Sequence, residues 1–112
     1  MDKELKTIRD NKLEEMINVL HDFDMRERAA IKTGKKTFVT VNGKDIAIYD
    51  DLIALTKEKD KYVKESLMYL WTNCHISKPE IIRRLSYLMK KNDSNAELWC
   101  RISNARVIIR NR

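Results

Sequence analysis

The sequence predicts a small helical bundle that is mainly α with one β-hairpin (α+β), a single domain in the order α(α)-ββ-α-α-α over residues 1–112. The chain contains only two glycines and one proline, whereas turn-dense β folds and glycine-rich phosphate loops need residues that tolerate positive φ. Most apolar residues recur at steps of three and four, which is the spacing of an amphipathic helix. One segment instead alternates β-forming residues around an Asn-Gly pair, and this alternation predicts the hairpin.

The N-terminal segment, residues 1–34, is predicted to be helical. Its apolar residues follow helical spacing: Leu5, Ile8, Leu13, Met16, Ile17 and Leu20. A break at residues 21–24 is one of two alternatives, because Asp24 can cap a second helix and Glu27 then completes a capping box. Gly34 suits the position that follows a helix end. The pattern leaves both one helix and two helices open for residues 1–33.

Residues 36–49 predict a β-hairpin with strands at 36–41 and 44–49. Asn42-Gly43 is the preferred pair for a two-residue type I′ turn, and this turn sets the cross-strand partners: Val39 with Ile46, Thr37 with Ile48, and Phe38 with Ala47. Two strands alone are marginally stable in water, so the hairpin is expected to pack on helices or to pair with a second subunit. An intersubunit ribbon, as in a ribbon–helix–helix protein, is the weaker interpretation, since the turn supplies a partner within the chain.

Residues 51–112 form the C-terminal part, in which we predict three helices. Asp50 and Asp51 provide the N-cap of the first helix, which is expected to end near Asn73. Its apolar stripe consists of Leu52, Ile53, Leu55, Val63, Leu67, Leu70 and Trp71. The second helix is predicted from its start signal, a capping Ser77 followed by a first-turn proline and Glu80, and runs to about Lys91.

The last helix is predicted to run from Asn95 to near the C-terminus. Residues 92–94 interrupt the preceding helix, and Ser94 with Glu97 forms a second capping box. The short connection between the last two helices is compatible with a helix-turn-helix motif. Because the turn contains no glycine, a plain helical hairpin fits the same residues.

The positive charge of the chain lies in its last third. The formal net charge is +6, and residues 76–112 hold nine basic and three acidic side chains, so the preceding residues sum to zero. Six of the nine arginines also lie in this segment. Such asymmetry is typical of a surface that binds phosphates or another acidic surface.

The basic residues of the last two helices are predicted to lie away from the apolar stripes. Arg83, Tyr87 and Lys90 share one face of the first of these helices, and Trp99, Ser103, Arg106 and Arg110 form a strip on the second. Basic groups neutralise phosphates, and an aromatic ring can stack on a base. A core-edge position is nevertheless the simpler interpretation of Trp99. The residues predicted to bind nucleic acid are Arg83, Arg84, Lys90, Lys91, Arg101, Arg106, Arg110 and Arg112.

These features lead us to expect a small non-catalytic, nucleic-acid-associated or regulatory protein that binds DNA or RNA phosphates. The alternative is a protein-binding adaptor or inhibitor, of the kind that phages encode, which blocks or recruits a larger enzyme. This alternative follows from the ability of amphipathic basic helices to bind acidic protein surfaces. A homodimer through the N-terminal helix or the hairpin edge is a further expectation.

No catalytic, metal or cofactor site is expected. Cys74, His75 and Cys100 lack the spacings of structural zinc ligands, so two core thiols and a surface or capping histidine are the simpler interpretation. Motifs for a P-loop, a calcium loop or a nucleophile elbow are missing from the sequence. The first ten residues are charged, unlike a secretory signal, and the longest apolar run, 67–71, is far shorter than a membrane span. We therefore expect a soluble, cytoplasmic protein without membrane contact.

Overall fold

A computed structural model describes residues 3–112 of the chain. The observed order of elements is a helix, a hairpin and three further helices, so the predicted fold class is confirmed. The bounds of the elements are α1 Lys3–Thr33, β1 Lys36–Val41, β2 Lys44–Tyr49, α2 Asp50–Cys74, α3 Lys78–Lys91 and α4 Ala96–Arg110.

The N-terminal segment forms one continuous helix. α1 has 31 residues, and the alternative break at residues 21–24 does not occur. Phe23 is buried there, and Asp24 pairs with Arg28 one turn later at 3.1 Å, instead of capping a new helix. Because this stretch contains neither glycine nor proline, nothing interrupts the backbone hydrogen bonds of the helix.

A single hydrophobic core joins the four helices of residues 3–112. Each helix contributes a stripe of apolar side chains, as the helical spacing predicts. The largest side chains that are almost fully buried are Leu13, Met16, Leu20, Leu70, Ile81, Leu85, Ile102 and Ile109. Burial of such a side chain stabilises the fold by roughly 1.5–3 kcal/mol, so these stripes account for most of the packing of the helices.

Polar contacts connect α1 with α2 beside this core. Lys59 Nζ lies 2.7 Å from Glu27 Oε1, and the Tyr62 hydroxyl donates to Glu15 Oε2 at 2.7 Å. Hydrogen bonds from Lys12 and Tyr62 hold the pKa of Glu15 below its usual range. These contacts fix the two helices in an antiparallel pair, with the hairpin at the end where α1 stops and α2 begins.

The starts of α2 and α3 differ in how well the sequence predicts them. Tyr49 occupies the N-cap position of α2, with no capping bond from its side chain. The prediction that Asp50 and Asp51 form this cap is therefore wrong; they lie in the first turn, where their charge favours the helix dipole. Ser77 occupies the N-cap position of α3 as predicted, but its side chain makes no capping hydrogen bond to the backbone; its hydroxyl instead donates to Glu80 Oε1 at 3.1 Å.

The N-cap of α4 lies one residue after the predicted one. Asn95 is the N-cap residue, and its side-chain oxygen accepts a hydrogen bond from the Leu98 backbone N–H at 3.2 Å. The predicted capping box of Ser94 with Glu97 is wrong. Asparagine and serine are about equally good caps, so the residue types alone do not determine which of two neighbours is used.

The hairpin has the predicted strands and register. Val39 pairs with Ile46 and Thr37 with Ile48, and Asn42 and Gly43 both have positive φ, at 51° and 77°, as a type I′ turn requires. Every residue of β1 is exposed. Burial in β2 begins only at Ala47, near the base of the hairpin, so the hairpin projects from the helices instead of packing on them.

α3 and α4 form an antiparallel helical hairpin. Lys78 Nζ at the start of α3 donates to the backbone oxygen of Arg112 at 2.7 Å, and Arg106 Nη1 donates to Ser86 Oγ at 3.1 Å. Helices that cross at about 90–120°, as in a helix-turn-helix motif, would separate these ends widely. The plain helical hairpin is thus the alternative that the structure supports.

Candidate nucleic-acid interface

Three of the eight predicted basic residues form ion pairs within the chain. The pairs are Arg84 with Asp10 (3.8 Å), Arg101 with Glu97 (2.6 Å) and Arg112 with Asp60 (2.5 Å). The three arginine side chains are only about one third exposed, at 30%, 33% and 27%. Because an acidic group already compensates their charge, these three arginines contribute less than the formal count suggests to a positive surface.

Arg106 connects α3 and α4. Its Nη1 donates to Ser86 Oγ at 3.1 Å and lies 4.0 Å from Met89 Sδ. Its Nε is buried and has no hydrogen-bond partner in the described part of the chain. The guanidinium therefore serves partly to join the two helices, and only its remaining N–H groups are available to a ligand.

Four of the eight residues are exposed and unpaired. Arg83, Lys90 and Lys91 of α3 and Arg110 of α4 are exposed, and none of them forms an ion pair with another residue in the range 3–112. The acidic residues of this segment lie at the helix starts and in the turn between the helices, at Glu80, Asp93 and Glu97. Together with Lys78 and Arg106, which donate to a backbone oxygen and to a hydroxyl oxygen, the four exposed side chains hold the positive charge of this segment that no acidic side chain of the described residues pairs with.

Three of these cations lie on one surface, which follows from the contact of Arg106 with Ser86. Arg83 and Lys90 are three residues before and four residues after Ser86, so they flank it on the same side of α3. Arg110 is one turn after Arg106 on α4. Since the helices are antiparallel, Arg83 lies across from Arg110. We call this surface the outer basic face and define it by Arg83, Lys90, Arg110, Tyr87 and Trp99.

The three cations of the outer basic face span about 10 Å in each direction. Arg83 and Lys90 are seven residues apart, which corresponds to about 10 Å along a helix. Packed helices have axes about 8–10 Å apart, which sets the distance from α3 to α4. This size is comparable to the width of a DNA groove, about 12 Å for the major groove, so the cations are spaced widely enough to contact separate phosphates.

Two aromatic side chains lie among the cations. Tyr87 is 51% exposed, and Trp99 is 39% exposed, which fits a position at the edge of the core with part of the ring open. The guanidinium of Arg84 lies 4.9 Å from the centre of the Tyr87 ring, a cation–π contact that orients the ring. The ring of Trp99 belongs to the same strip of α4 as Arg106 and Arg110. Both rings present surface on which a base or sugar can stack.

Sequence reasoning missed a groove between α2 and the start of α3. Leu67, Met68, Trp71, Ile76 and Ile81 line it, and the surface they leave open is mostly apolar. The prediction that Trp71 belongs to the buried stripe of α2 is wrong, because its side chain is 56% exposed. Leu67, which lies one turn before Trp71, packs against the core. Helical spacing alone therefore predicts burial of Trp71 as well.

The two cysteines lie in different environments. Cys74 is buried and Cys100 is exposed, so the prediction of two core thiols is correct for the first only. His75 caps the end of α2 with a positive φ of 56°. Residues 3–112 contain no cluster of three or more potential metal-ligating side chains. Over the same range, no helix is both long and apolar enough to cross a membrane.

The chain was compared with protein families, curated proteins and solved structures. No family model, no curated protein and no solved structure matches the chain. The residues and distances of the chain itself therefore have to support any function proposed for it.

Proposed function

We propose that the protein is a small non-catalytic, nucleic-acid-associated protein that binds phosphates of DNA or RNA through the outer basic face. One observation carries this proposal: Arg83, Lys90 and Arg110 are exposed, unpaired and on the same side of the α3–α4 hairpin. The partner that fits such a surface is a polyanion with regularly spaced charges. A single small anion would need convergent donors, whereas these cations are spread over about 10 Å.

Contact with phosphates would be largely independent of sequence. The cations release condensed counterions when they bind, and this release drives non-specific association with dissociation constants of about 10⁻⁴–10⁻⁶ M at physiological salt. Tyr87 and Trp99 extend the contact to bases or sugars where a strand is open, because stacking on an exposed ring accepts every base. Lys91 lies at the margin of the face and adds a fourth cation at the end of α3.

The test is fluorescence anisotropy with a labelled duplex DNA, a duplex RNA and a single strand of mixed sequence. At a salt concentration of about 50 mM, the wild-type protein is expected to bind at least one of these probes. The variant R83Q/K90Q/R110Q is expected to bind the same probe at least about tenfold more weakly, since it lacks three phosphate contacts. These residues are exposed, so the variant should keep its far-UV circular dichroism spectrum.

A matched control removes the same charge from residues outside the outer basic face. Lys32, Lys35 and Lys57 are exposed near the junction of the hairpin with α1 and α2, and the variant K32Q/K35Q/K57Q has the same net charge as the first variant. It is expected to bind nearly as well as the wild type. Equal losses in both variants, or absence of binding to all three probes, would contradict the proposal.

A second candidate function is supported by the apolar groove between α2 and α3. Met68 and Trp71 are 63% and 56% exposed, and Lys64 and Lys78 also line the groove. An amphipathic helix with an acidic margin would match both features, since helix-in-groove recognition uses apolar anchors at helical spacing. This would make the protein an adaptor or inhibitor that binds an acidic helix of a larger partner.

The two functions are separated by variants of the two surfaces. A labelled acidic amphipathic peptide is expected to bind the wild-type protein and R83Q/K90Q/R110Q equally, and to lose its affinity for M68K/W71E. Nucleic-acid binding should show the reverse pattern. If the peptide binds neither the wild type nor the variants, the adaptor function is refuted and the nucleic-acid proposal is unaffected.

A further inference from the structure

The β-hairpin carries an apolar surface that the rest of the chain leaves open. On one side of the hairpin lie five residues without charge, which we call the aliphatic face: Thr37, Val39, Val41, Ile46 and Ile48. Val39, Val41 and Ile46 are 36%, 46% and 47% exposed. Soluble domains leave single apolar residues at the surface, but a contiguous set on a projecting hairpin is typical of an interaction site.

A two-stranded hairpin also lacks the packing that usually stabilises it. Isolated hairpins are marginally stable in water unless a further strand or a helix covers one side. Here the sheet has only the strands β1 and β2 within the described residues, and every residue of β1 is exposed. Within the described residues only the base of the hairpin, from Ala47 to Tyr49, is partly buried, so the rest of the aliphatic face is open to a partner.

The molecule exposes more surface than a compact monomer of the same mass. A compact monomer of 13.3 kDa has an accessible surface of about 6,450 Å², whereas this chain exposes 7786 Å². The radius of gyration is 16.8 Å, against about 13 Å for a compact domain of this length. The excess of about 1,300 Å² belongs to the elongated molecule as a whole, whose extents are 56 × 33 × 21 Å, and the projecting hairpin supplies part of it.

Charges at the two ends of the hairpin match when a second copy is stacked in the opposite direction. Lys44 lies at the tip of the aliphatic face. Asp50 and Asp51 lie at the base, in the first turn of α2, and together with Lys35 at the same end they give a net charge of −1. Each strand has six residues, or about 20 Å. Two hairpins stacked face to face and antiparallel therefore place Lys44 of each copy near Asp50 and Asp51 of the other. A parallel stack would bring the two Lys44 side chains together.

We propose that the aliphatic face is the interface of a symmetric homodimer, in which the hairpins of two copies stack face to face in opposite directions. The twofold axis makes the interface self-complementary, since each copy supplies the same apolar residues and the same pair of opposite charges. The helices of the two copies then extend away from each other. This dimer does not depend on the proposed function, because no residue of the outer basic face takes part.

The test is sedimentation equilibrium of the full chain without nucleic acid, at protein concentrations up to about 100 µM, where mass action favours association. We expect a mass of twice 13.3 kDa for the wild type and 13.3 kDa for V39D/I46D. The control is F38D, because Phe38 lies on the opposite side of the hairpin and is exposed. F38D should remain dimeric.

Charge variants test the direction of stacking. K44E is expected to raise the dissociation constant of the dimer at least about tenfold, and K44E/D50K/D51K is expected to restore it. Retained helical circular dichroism in every variant would show that the core is intact. The proposal is overturned if the wild type is a monomer at the highest concentration, if V39D/I46D stays dimeric, or if F38D dissociates as readily as V39D/I46D. Failure of the charge swap alone overturns the antiparallel arrangement.

Discussion

Replacement of Arg106 by alanine should destabilise the fold, unlike replacement of the other cations on its strip. The substitution removes a hydrogen bond from a charged donor to Ser86 Oγ, which is worth about 1.5–3 kcal/mol. It also removes methylenes that lie half-buried between α3 and α4, at about 0.8 kcal/mol for each one fully buried. Nε is buried without a hydrogen-bond partner in the wild type, and its desolvation costs about 1–3 kcal/mol. The substitution removes this cost, which offsets part of the loss. We expect a net loss of about 2 kcal/mol.

The assay is urea unfolding followed by far-UV circular dichroism and tryptophan fluorescence. If both signals report the same transition, and the free energy of unfolding depends on urea concentration with the same slope in the variant and the wild type, the difference in midpoint measures a change in stability. Arg110 is the matched control, because it lies one turn later on the same strip and is exposed; R110A should change the free energy of unfolding by less than about 0.5 kcal/mol. R106M keeps the stem and should recover most of the loss. Equal, small effects of R106A and R110A would refute the connecting role of Arg106.

Three further predictions concern the ends of helices and the pH dependence. N95A should lower the free energy of unfolding by about 1 kcal/mol in urea titrations, because it removes the N-cap of α4, whereas S94A should leave it unchanged. G34A should destabilise the end of α1 in thermal unfolding, since a β-carbon at Gly34 would lie 2.2 Å from the backbone oxygen of Ala30; an unchanged melting temperature would contradict this. The pKa of Glu15 is lowered from its usual value of 4.5, so the ionised carboxylate stabilises the fold at neutral pH. This contribution is lost as the pH falls through the lowered pKa. Acid unfolding curves should therefore show a smaller loss of stability in E15Q.

The hairpin illustrates what a short sequence pattern can determine. Asn42 and Gly43 both accept positive φ, and a two-residue turn leaves one register for the strands. The cross-strand partners therefore follow from this pair of residues and the alternation on either side of it. What covers the aliphatic face does not follow from this local rule, because it depends on surface outside the hairpin.

Helix boundaries and the continuity of α1 are harder to predict. The residues at 21–24 contain capping types, but the burial of Phe23 and the pair between Asp24 and Arg28 favour an uninterrupted helix. Similarly, Ser94 and Asn95 have nearly equal capping strength. At residues 21–24 the burial of Phe23 decides between the local alternatives, whereas at residues 94–95 the residue types do not distinguish the two possible caps.

The composition of the candidate site can be predicted from the sequence, but not the pairing of its charges. Seven of the eight basic residues lie within α3 and α4, and Arg112 follows directly after them. Arg84 and Arg112 nevertheless pair with Asp10 and Asp60 from distant parts of the chain. Such partners are brought close only by the fold, and no spacing in the sequence indicates them. The distinction between paired and unpaired cations, which defines the outer basic face, comes from the structure.

The salt dependence of binding tests the proposed function most directly. For duplex DNA, phosphate contacts from Arg83, Lys90, Lys91 and Arg110 predict a slope of about −3.6 in a plot of log Kobs against log salt concentration. R83Q/K90Q/R110Q keeps one of these four contacts, which predicts a slope of about −0.9. Anisotropy titrations over a series of salt concentrations measure both slopes, with K32Q/K35Q/K57Q expected to keep the slope of the wild type. If the wild-type and R83Q/K90Q/R110Q slopes were equal, the outer basic face would not be the surface that binds phosphates.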